Sequence, residues 1–487
     1  ILTIGLFPLL LTAFQLLPSV ELYLHSFRSQ IVPLGWFRSF QIPLSGLITF
    51  LAPDFFGHPV TRNHFSSHSY VEMMGYIGLI PFLLSLLTLW QRRKNSPISF
   101  FWFTIAISLS LSLKSPLSDL LAWARLPIFS SSSPARIISL ISFSLSVLAG
   151  FGLDYLPKLD KAVLKKFFIG VGILFATLWL ATFVLHLPVS QRNLVIPSII
   201  FITFIAIIFL SRKFKFFLVA STYALIAITL ADLYRFHHKF TPYSDSKYWY
   251  PPMKFIQFLQ DNQGIDRNFG IFDGQLNLPF RVYSTDGYDT LFPQTYGQLL
   301  SLDSTDRVSS ASLPKNSPQT MDLLNLLGVK YVIQGVVHGG APWELQLWLY
   351  PDQFTKIYED ERYEIHQNLQ VLPRVYLTDS ATPINVTSFT PNRIALNVNS
   401  PTVTTLILSD NYYPGWQATL DNQLTTIQKS AAGFRGVNLS AGQHHLVMTY
   451  QPLSFTLGLW VSGISLTLLI ILTIIRPKAL IHASAAV

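Results

Sequence analysis

Residues 161–215, KAVLKKFFIGVGILFATLWLATFVLHLPVSQRNLVIPSIIFITFIAIIFLSRKFK, decide the fold. Lys161, Lys165 and Lys166 open an apolar run, Phe167–Leu187. A short polar link with Arg192 follows. A second run, Leu194–Leu210, closes on Arg212, Lys213 and Lys215. Each run is near the length, roughly 20 residues, that carries a helix across a bilayer. Backbone polar groups cannot stay unpaired in lipid, so such runs read as helices. The pattern continues outward through Ile1–Leu24, Val71–Trp90, Ile98–Leu113, Ile137–Leu156, Phe216–Leu233 and Leu457–Ile475. The expectation is a polytopic α-helical membrane protein of about eight transmembrane helices. A large extracytoplasmic region, α/β followed by a β-sandwich, is expected to interrupt it.

Charge orients the chain. Arg92, Arg93 and Lys94 follow the second run, and Lys158, Lys161, Lys165 and Lys166 separate the fourth from the fifth. Arg212, Lys213 and Lys215 separate the sixth from the seventh, and Arg476 and Lys478 follow the last. Counting crossings puts all of these on one face, which the retention of Lys and Arg makes cytoplasmic. Loops 25–70, 114–136 and 188–193 and the region 235–455 are then outside. One miscounted run would flip everything downstream of it, and Ile98–Leu113 is the shortest. The expected division is a bundle over 1–234, an α/β region over 235–372, a β-sandwich over 373–455 and a last spanning helix over 456–478.

Composition agrees. Of 487 residues 50% are hydrophobic and 12% charged, and mean hydropathy is +0.40, too apolar for a soluble chain of this length. The net charge of +9 sits largely in the cytoplasmic loops, so it reads as topology and lipid contact and not as nucleic-acid binding. Cysteine is absent, so the exposed region holds together without disulfides. The chain begins at Ile1 inside an apolar run, which reads as a fragment whose first helices lie upstream.

The loop 25–70 is long, and long ordered loops are often functional. Its apolar stretch Leu44–Pro53 is too short to span and suggests a re-entrant or interfacial piece. Behind it stand Asp54, His58, Arg62, His64, His68, Tyr70 and Glu72. Two carboxylates and three histidines suit a divalent metal, or a diphosphate held through one, though the spacing fits no fixed ligand motif. The plain alternative is a solvated polar loop at headgroup level. Glu21 is an ionisable residue near the end of an apolar run, a functional candidate by default, with Arg28 two turns on as its structural partner. Leu117–Phe129 reads as an amphipathic surface helix. Arg136 opens the fourth run, where it suits either a lipid phosphate or simple interfacial anchoring.

After Asp232 the composition changes. Pro252–Asn262 and Met321–Leu327 read as short helices, the second ending at Gly328. Asn268–Phe272, Leu278–Ser284 and Val329–Gln334 read as strands. From Pro373 the pattern is all-β, in short alternating runs broken by turns such as Asp421-Asn422 and Ala441-Gly442, which argues a β-sandwich. Tyr412, Tyr413 and Trp416 stand beside Gly415. They offer aromatic faces on which a pyranose of an acceptor glycan stacks, or else they plug the core or meet the membrane surface. Walker loops, G-x-S-x-G, H-E-x-x-H and cysteine clusters are absent from the sequence.

Pro53-Asp-Phe-Phe-Gly57, followed by Tyr76-Ile-Gly-Leu-Ile-Pro81, resembles an outer loop and helix of the YfhO-like bacterial membrane proteins. Similar stretches are Ala149–Asp154, Asp286-Gly-Tyr-Asp289, Leu323–Tyr331 and Leu372-Pro-Arg-Val-Tyr376. The most specific set is Tyr413-Pro-Gly-Trp416 with Gly433-Phe-Arg-Gly436, Ala441-Gly-Gln-His444 and Tyr450-Gln-Pro452. That family looks like a branch of the GT-C membrane glycosyltransferases. The resemblance implies transfer of a sugar from a polyprenyl-phosphate donor to a cell-envelope glycan or a teichoic-acid-like acceptor, outside the membrane. It also implies an acidic base or metal ligand in a first outer loop, expected upstream of Ile1 and so carried by no residue named here. The alternatives are a non-catalytic scaffold for envelope assembly and a transporter of a lipid-linked glycan.

Overall fold

The computed structural model describes residues 2–29, 34–66, 69–91, 96–124, 133–214, 217–240, 243–270, 277–285, 291–300, 318–336, 345–380 and 384–475. Arg92, Arg93, Lys94, Lys215, Arg476 and Lys478 of the basic clusters lie outside these residues, as do His68, Arg125 and the loop with Asp286, Tyr288 and Asp289. The chain packs as two units, Ile1–Ile31 with Ser246–Val487, and Val32–Asp245.

The first unit opens with α1 (Leu2–Leu11) and α2 (Ala13–His25). Taken as one span, Gly5–Leu11 and Ala13–His25 bend by 80°. They pack against the last helix, Leu453–Ile475. The Phe14 N–H donates to Ser462 Oγ at 3.0 Å, and a Cβ at Gly458 would stand 2.5 Å from Ala13 O. Only a glycine lets the two backbones come that close.

The second unit is helical: α3 (Leu34–Ser39), α4 (Leu79–Leu87), α5 (Ser96–Ser112), α6 (Pro116–Trp123), α7 (Ile138–Tyr155), α8 (Lys161–Val184), α9 (Pro188–Lys213) and α10 (Phe217–His237). Leu79, Ile80, Leu83, Leu84 and Leu87 of α4 are buried together with Phe167, Val171 and Phe175 of α8 and Phe201 and Phe204 of α9. Helix α7 crosses α4 at Gly152, where a Cβ would stand 2.0 Å from Leu84 O. The short apolar stretch after Pro43 is a 3-10 helix, Leu44–Phe50, partly buried in this unit.

Five helices are long and apolar enough to span, namely Pro134–Lys158, Lys161–Val184, Pro188–Lys213, Val219–His237 and Leu453–Ile474, or six if the bent pair counts as one. The expectation of about eight is therefore not met among the described residues. Two of the runs fall short, as Leu79–Trp90 and Ser96–Ser112. Val71–Trp90 is shortened by its own sequence. Gly78 takes φ +92, outside the helical region, and the Leu79 N–H donates to Asp232 Oδ2 at 3.2 Å, so the helix starts there.

The rest of the first unit comprises α11 (Lys254–Asn262), β1 (Arg267–Phe269), α12 (Asn277–Phe280), α13 (Gln294–Leu299), α14 (Pro318–Leu326), β2 (Val329–Gly335), β3 (Phe354–Glu359) and β4 (Tyr363–Asn368). These strands form one sheet in the order β1-β2-β4-β3, with β1 parallel to β2. Gly328, at φ +67, ends the α14 region as the sequence suggests. The strand expected over Leu278–Ser284 is instead a helical turn at Asn277–Phe280, and only Ser284 forms a bridge, to Asn268. Pro279 has no N–H to give a ladder.

Strands β5 (Val375–Leu377), β6 (Asn385–Thr390), β7 (Arg393–Ser400), β8 (Thr404–Asn411), β9 (Trp416–Leu420), β10 (Gln423–Thr425), β11 (Gln428–Lys429), β12 (Phe434–Leu439) and β13 (Gly442–Tyr450) follow. They make two sheets, β10-β9-β13-β7-β6 and β11-β12-β8-β5. Alternate residues of both sheets, among them Ile394, Leu396, Leu406, Leu408, Val437 and Leu446, share one buried core. Tyr450 leads through Pro452 into α15 (Leu453–Ile475).

Candidate functional site

In the helical unit the polar loop folds back on itself. Asp54-Phe-Phe-Gly57 is a tight turn: the Gly57 N–H donates to Asp54 O at 2.8 Å. Gly57 takes φ +83, and a Cβ there would stand 2.1 Å from Asn63 O, so only glycine closes this loop. The start of α9 pins it, with Ser190 Oγ donating to Phe55 O at 2.7 Å and Asn193 donating to Asp54 O.

The Asp54 carboxylate is thereby buried among donors. Tyr70 Oη donates to Oδ1 at 2.8 Å, and Lys239 Nζ donates to Oδ2 at 3.1 Å. Arg235 Nη1 stands 3.9 Å from Oδ2 and reaches Asp232 through Nη2 at 3.3 Å. Tyr76 also donates to Asp232. Burial, with Asp54 beside it, pushes the Tyr70 hydroxyl far up, so it stays a donor. Two carboxylates against Arg235 and Lys239 leave the cluster balanced in charge.

His58 lies next to it. Its ring packs 4.8 Å from Tyr70 and 5.8 Å from Phe240. Burial pushes its pKa down, so the imidazole is neutral near pH 7. Nδ1 accepts the Val60 N–H at 3.2 Å, which leaves the proton on Nε2. Nε2 is buried without a hydrogen-bond partner, and His58 lines a cavity of about 210 Å³ with Tyr70, Phe236 and Phe240. The site thus offers an N–H donor beside aromatic walls.

Glu72 is engaged elsewhere. Arg136 grips it with Nη2 to Oε1 at 2.7 Å and Nε to Oε2 at 2.9 Å, and Ser133 donates to Oε2 at 3.2 Å. The Arg136 hydrogen bond holds the Glu72 carboxyl below the usual carboxylate range. Among the described residues no three of His, Asp and Glu come together as metal ligands.

The other candidates meet in the first unit. Leu22 of α2, Tyr413, Trp416, Tyr450, Asp410 and Arg435 wall a cavity of about 530 Å³. The motifs converge there for backbone reasons. Gly415, at φ +92, lies against Pro452, and the Gln451 N–H donates to Gly415 O at 2.7 Å. Gly433, at φ +80, accepts the Tyr412 N–H at 2.8 Å. The Arg435 guanidinium then lies 3.9 Å from the Trp416 ring centre. His25 of α2 packs 5.5 Å from the Tyr413 ring. Burial, with the Glu21 carboxylate nearby, pushes the Tyr413 hydroxyl up to about 12. Arg28 follows α2 in a half-buried 3-10 turn, Phe27–Ser29. Tyr412 is exposed.

Sequence reading missed Lys239, Arg235, Asp232 and Asp410. An acid and a base at the end of an apolar run were the available signal for Asp232 and Arg235. Arg374 and Arg435 were visible only inside the family-like stretches.

The family described as bacterial membrane protein YfhO matches this chain over residues 1–382 and 379–462. No curated protein and no solved structure matches it.

Proposed function

Because the chain belongs to the YfhO family of bacterial membrane proteins, we propose that it is a membrane glycosyltransferase acting at the outer face. It would move a sugar from a polyprenyl-phosphate donor to an envelope glycan or teichoic-acid-like acceptor. The observation that carries this reading is the cavity of about 530 Å³ walled by Tyr413, Tyr450 and Trp416. It is sugar-sized, aromatic and built at the end of an apolar helix.

In such a transfer the acceptor oxygen bonds to the anomeric carbon as that carbon's bond to the phosphate oxygen breaks. The acceptor proton passes to a general base, and the polyprenyl phosphate leaves. The helical unit by itself offers Lys239, Arg235 and the His58 Nε2–H to a phosphate group, with Asp54 positioning the cations. Arg28 in the first unit and Arg136 in the helical unit are separate cationic candidates, although Arg136 is occupied by Glu72. A divalent metal draws no support from the described donors.

Outward placement of 235–455 rests on charge. The two short runs drop out of the crossing count as a pair, so the parity downstream is unchanged. The basic residues at 158–166, 212–215 and 476–478 stay on one face and 235–455 on the other.

A scaffold is the second reading, and the full engagement of Asp54 by Tyr70, Lys239 and Arg235 favours it. The deciding experiment measures sugar incorporation into surface polymer in cells lacking the native gene. Transfer predicts that the intact protein restores decoration and that Glu21→Gln with Lys239→Met does not, at equal protein level. Unchanged decoration with and without the intact protein sinks the transferase.

A further inference from the structure

The Asp410 cluster, of which Asp410, Arg267 and Arg435 line the sandwich cavity, holds more cation than its described neighbours balance. Asp410 is reached by Arg267, by Arg374 at 3.0 Å and by Arg435 at 2.8 Å. Among the described residues, three guanidiniums around this one carboxylate leave a surplus of two positive charges. Asp266 does not cancel it, because Lys330 stands 3.8 Å away and offsets that acid. Such a surplus is costly in a buried place unless an anion shares it.

The three arginines are not equally satisfied. Arg267 spends its donors on Leu327 O, Ser409 and Asp410. Arg374 spends its donors on Ile265 O and Asp410, between the rings of Tyr283 and Phe389. Arg435 is 3% exposed, and its Nε and Nη1 have no hydrogen-bond partner. The Trp416 ring covers one face of that guanidinium, which softens the deficit without supplying an acceptor. Burial, with Arg374 nearby, pulls both Arg267 and Arg435 down to about 10. Arg267 and Arg435 both line the cavity of about 530 Å³, which otherwise presents Tyr413, Tyr450 and Trp416. A hexose with one charged substituent fits that volume and that mix of walls.

We propose that this cavity binds an anionic sugar, a saccharide unit bearing a phosphate or carboxylate group, with the charged group on Arg435 and Arg267 and the ring against Tyr413 and Tyr450. The site stands whether or not the protein transfers a sugar. It rests on the transferase reading only where the ligand is called an acceptor.

The test is calorimetric titration of the full chain in detergent with glucose 6-phosphate, glucuronate, glucose and inorganic phosphate. At least one of the two anionic sugars binds and glucose does not; which one binds names the anion. Arg435→Gln weakens that binding about ten-fold or more, the loss of a charge-assisted contact. Tyr413→Ala weakens the anionic sugar and leaves inorganic phosphate unchanged, which separates the ring contact from the charge contact. No binding of either anionic sugar to the intact protein overturns the proposal. So does undiminished binding to Arg435→Gln or, where that variant does not fold, to Tyr413→Ala. Binding without sugar transfer in cells removes the acceptor role and keeps the site. Transfer without binding removes the site and keeps the transferase.

Discussion

Lys239 Nζ stands 3.1 Å from Asp54 Oδ2 across a sequence separation of 185 residues. The pair ties the turn after the 3-10 helix to the residues that follow α10, and no local pattern announces it. Asp54 is nearly inaccessible, while Lys239 keeps part of its side chain in the open. The carboxylate therefore depends on its partners more than the ammonium does. Lys239→Met leaves Asp54 with Tyr70 and a distant Arg235, and the expected loss is about 1–3 kcal/mol. Thermal unfolding of the purified protein in detergent measures it. A melting temperature equal to the original's shows that Arg235 alone suffices.

Two histidines should move stability with pH in opposite directions. The folded pKa of His58 lies below the usual 6.5 because of burial. The unfolded chain takes up that proton first, so the neutral-His58 contribution is present above 6.5 and is lost as pH falls through the folded value. His444 is raised above 6.5 by its hydrogen bond to Asp421. Its contribution is present below 6.5 and is lost as pH rises through the folded value. His58→Asn should therefore cost more stability at about pH 8 than at about pH 5, and His444→Asn the reverse. Unfolding midpoints at both pH values check this, and equal pH profiles for the two variants refute it.

Legibility followed periodicity. The sandwich core residues Ile394, Leu396, Leu406 and Leu408 alternate in sequence and are buried together in the fold. The long helices α8 and α9 stand where their apolar runs are. Hydropathy reads Val71–Trp90 as one run, yet its helix begins only at Leu79, after Gly78 takes a backbone conformation that hydropathy does not register. Leu278–Ser284 reads as a strand by composition, but Pro279 and the positive φ of Arg281 decide otherwise. The candidate sites were legible only in part. Asp54, His58 and Tyr70 are near neighbours in sequence and were found together. The Asp410 cluster draws on Arg267, Arg374 and Arg435, which meet only through tertiary folding.

Gly152 and Gly150 occupy one helix and should respond differently to the same change. A Cβ at Gly152 would stand 2.0 Å from Leu84 O, where α7 crosses α4. A Cβ at Gly150 meets nothing within 4 Å. Gly152→Ala forces the helices apart and is expected to cost about 1–3 kcal/mol or more. Gly150→Ala is expected to be neutral or slightly stabilising, since alanine is the better helix former by about 0.5–1 kcal/mol. Melting temperatures in detergent decide, and equal values for both variants dismiss the crossing as a constraint.

If α8, α9 and α10 each span, three crossings separate the link 158–166 from 235–455, so these lie on opposite faces whatever Leu79–Trp90 and Ser96–Ser112 do. The retention of Lys and Arg then predicts 158–166 and 212–215 inside and 235–455 outside. A single crossing by one of the two short helices would change the side of the residues before α7 and not this relation. Protease added to intact spheroplasts should therefore cut within 235–455 and spare 158–166. Cysteines can be introduced singly at Lys161 and Lys247, because the chain has none of its own. An impermeant maleimide should label the Lys247→Cys variant in intact cells and the Lys161→Cys variant only after lysis. Labelling of Lys161→Cys in intact cells, with Lys247→Cys protected, reverses the orientation. It would also move the sandwich cavity and its proposed anionic sugar to the cytoplasmic side.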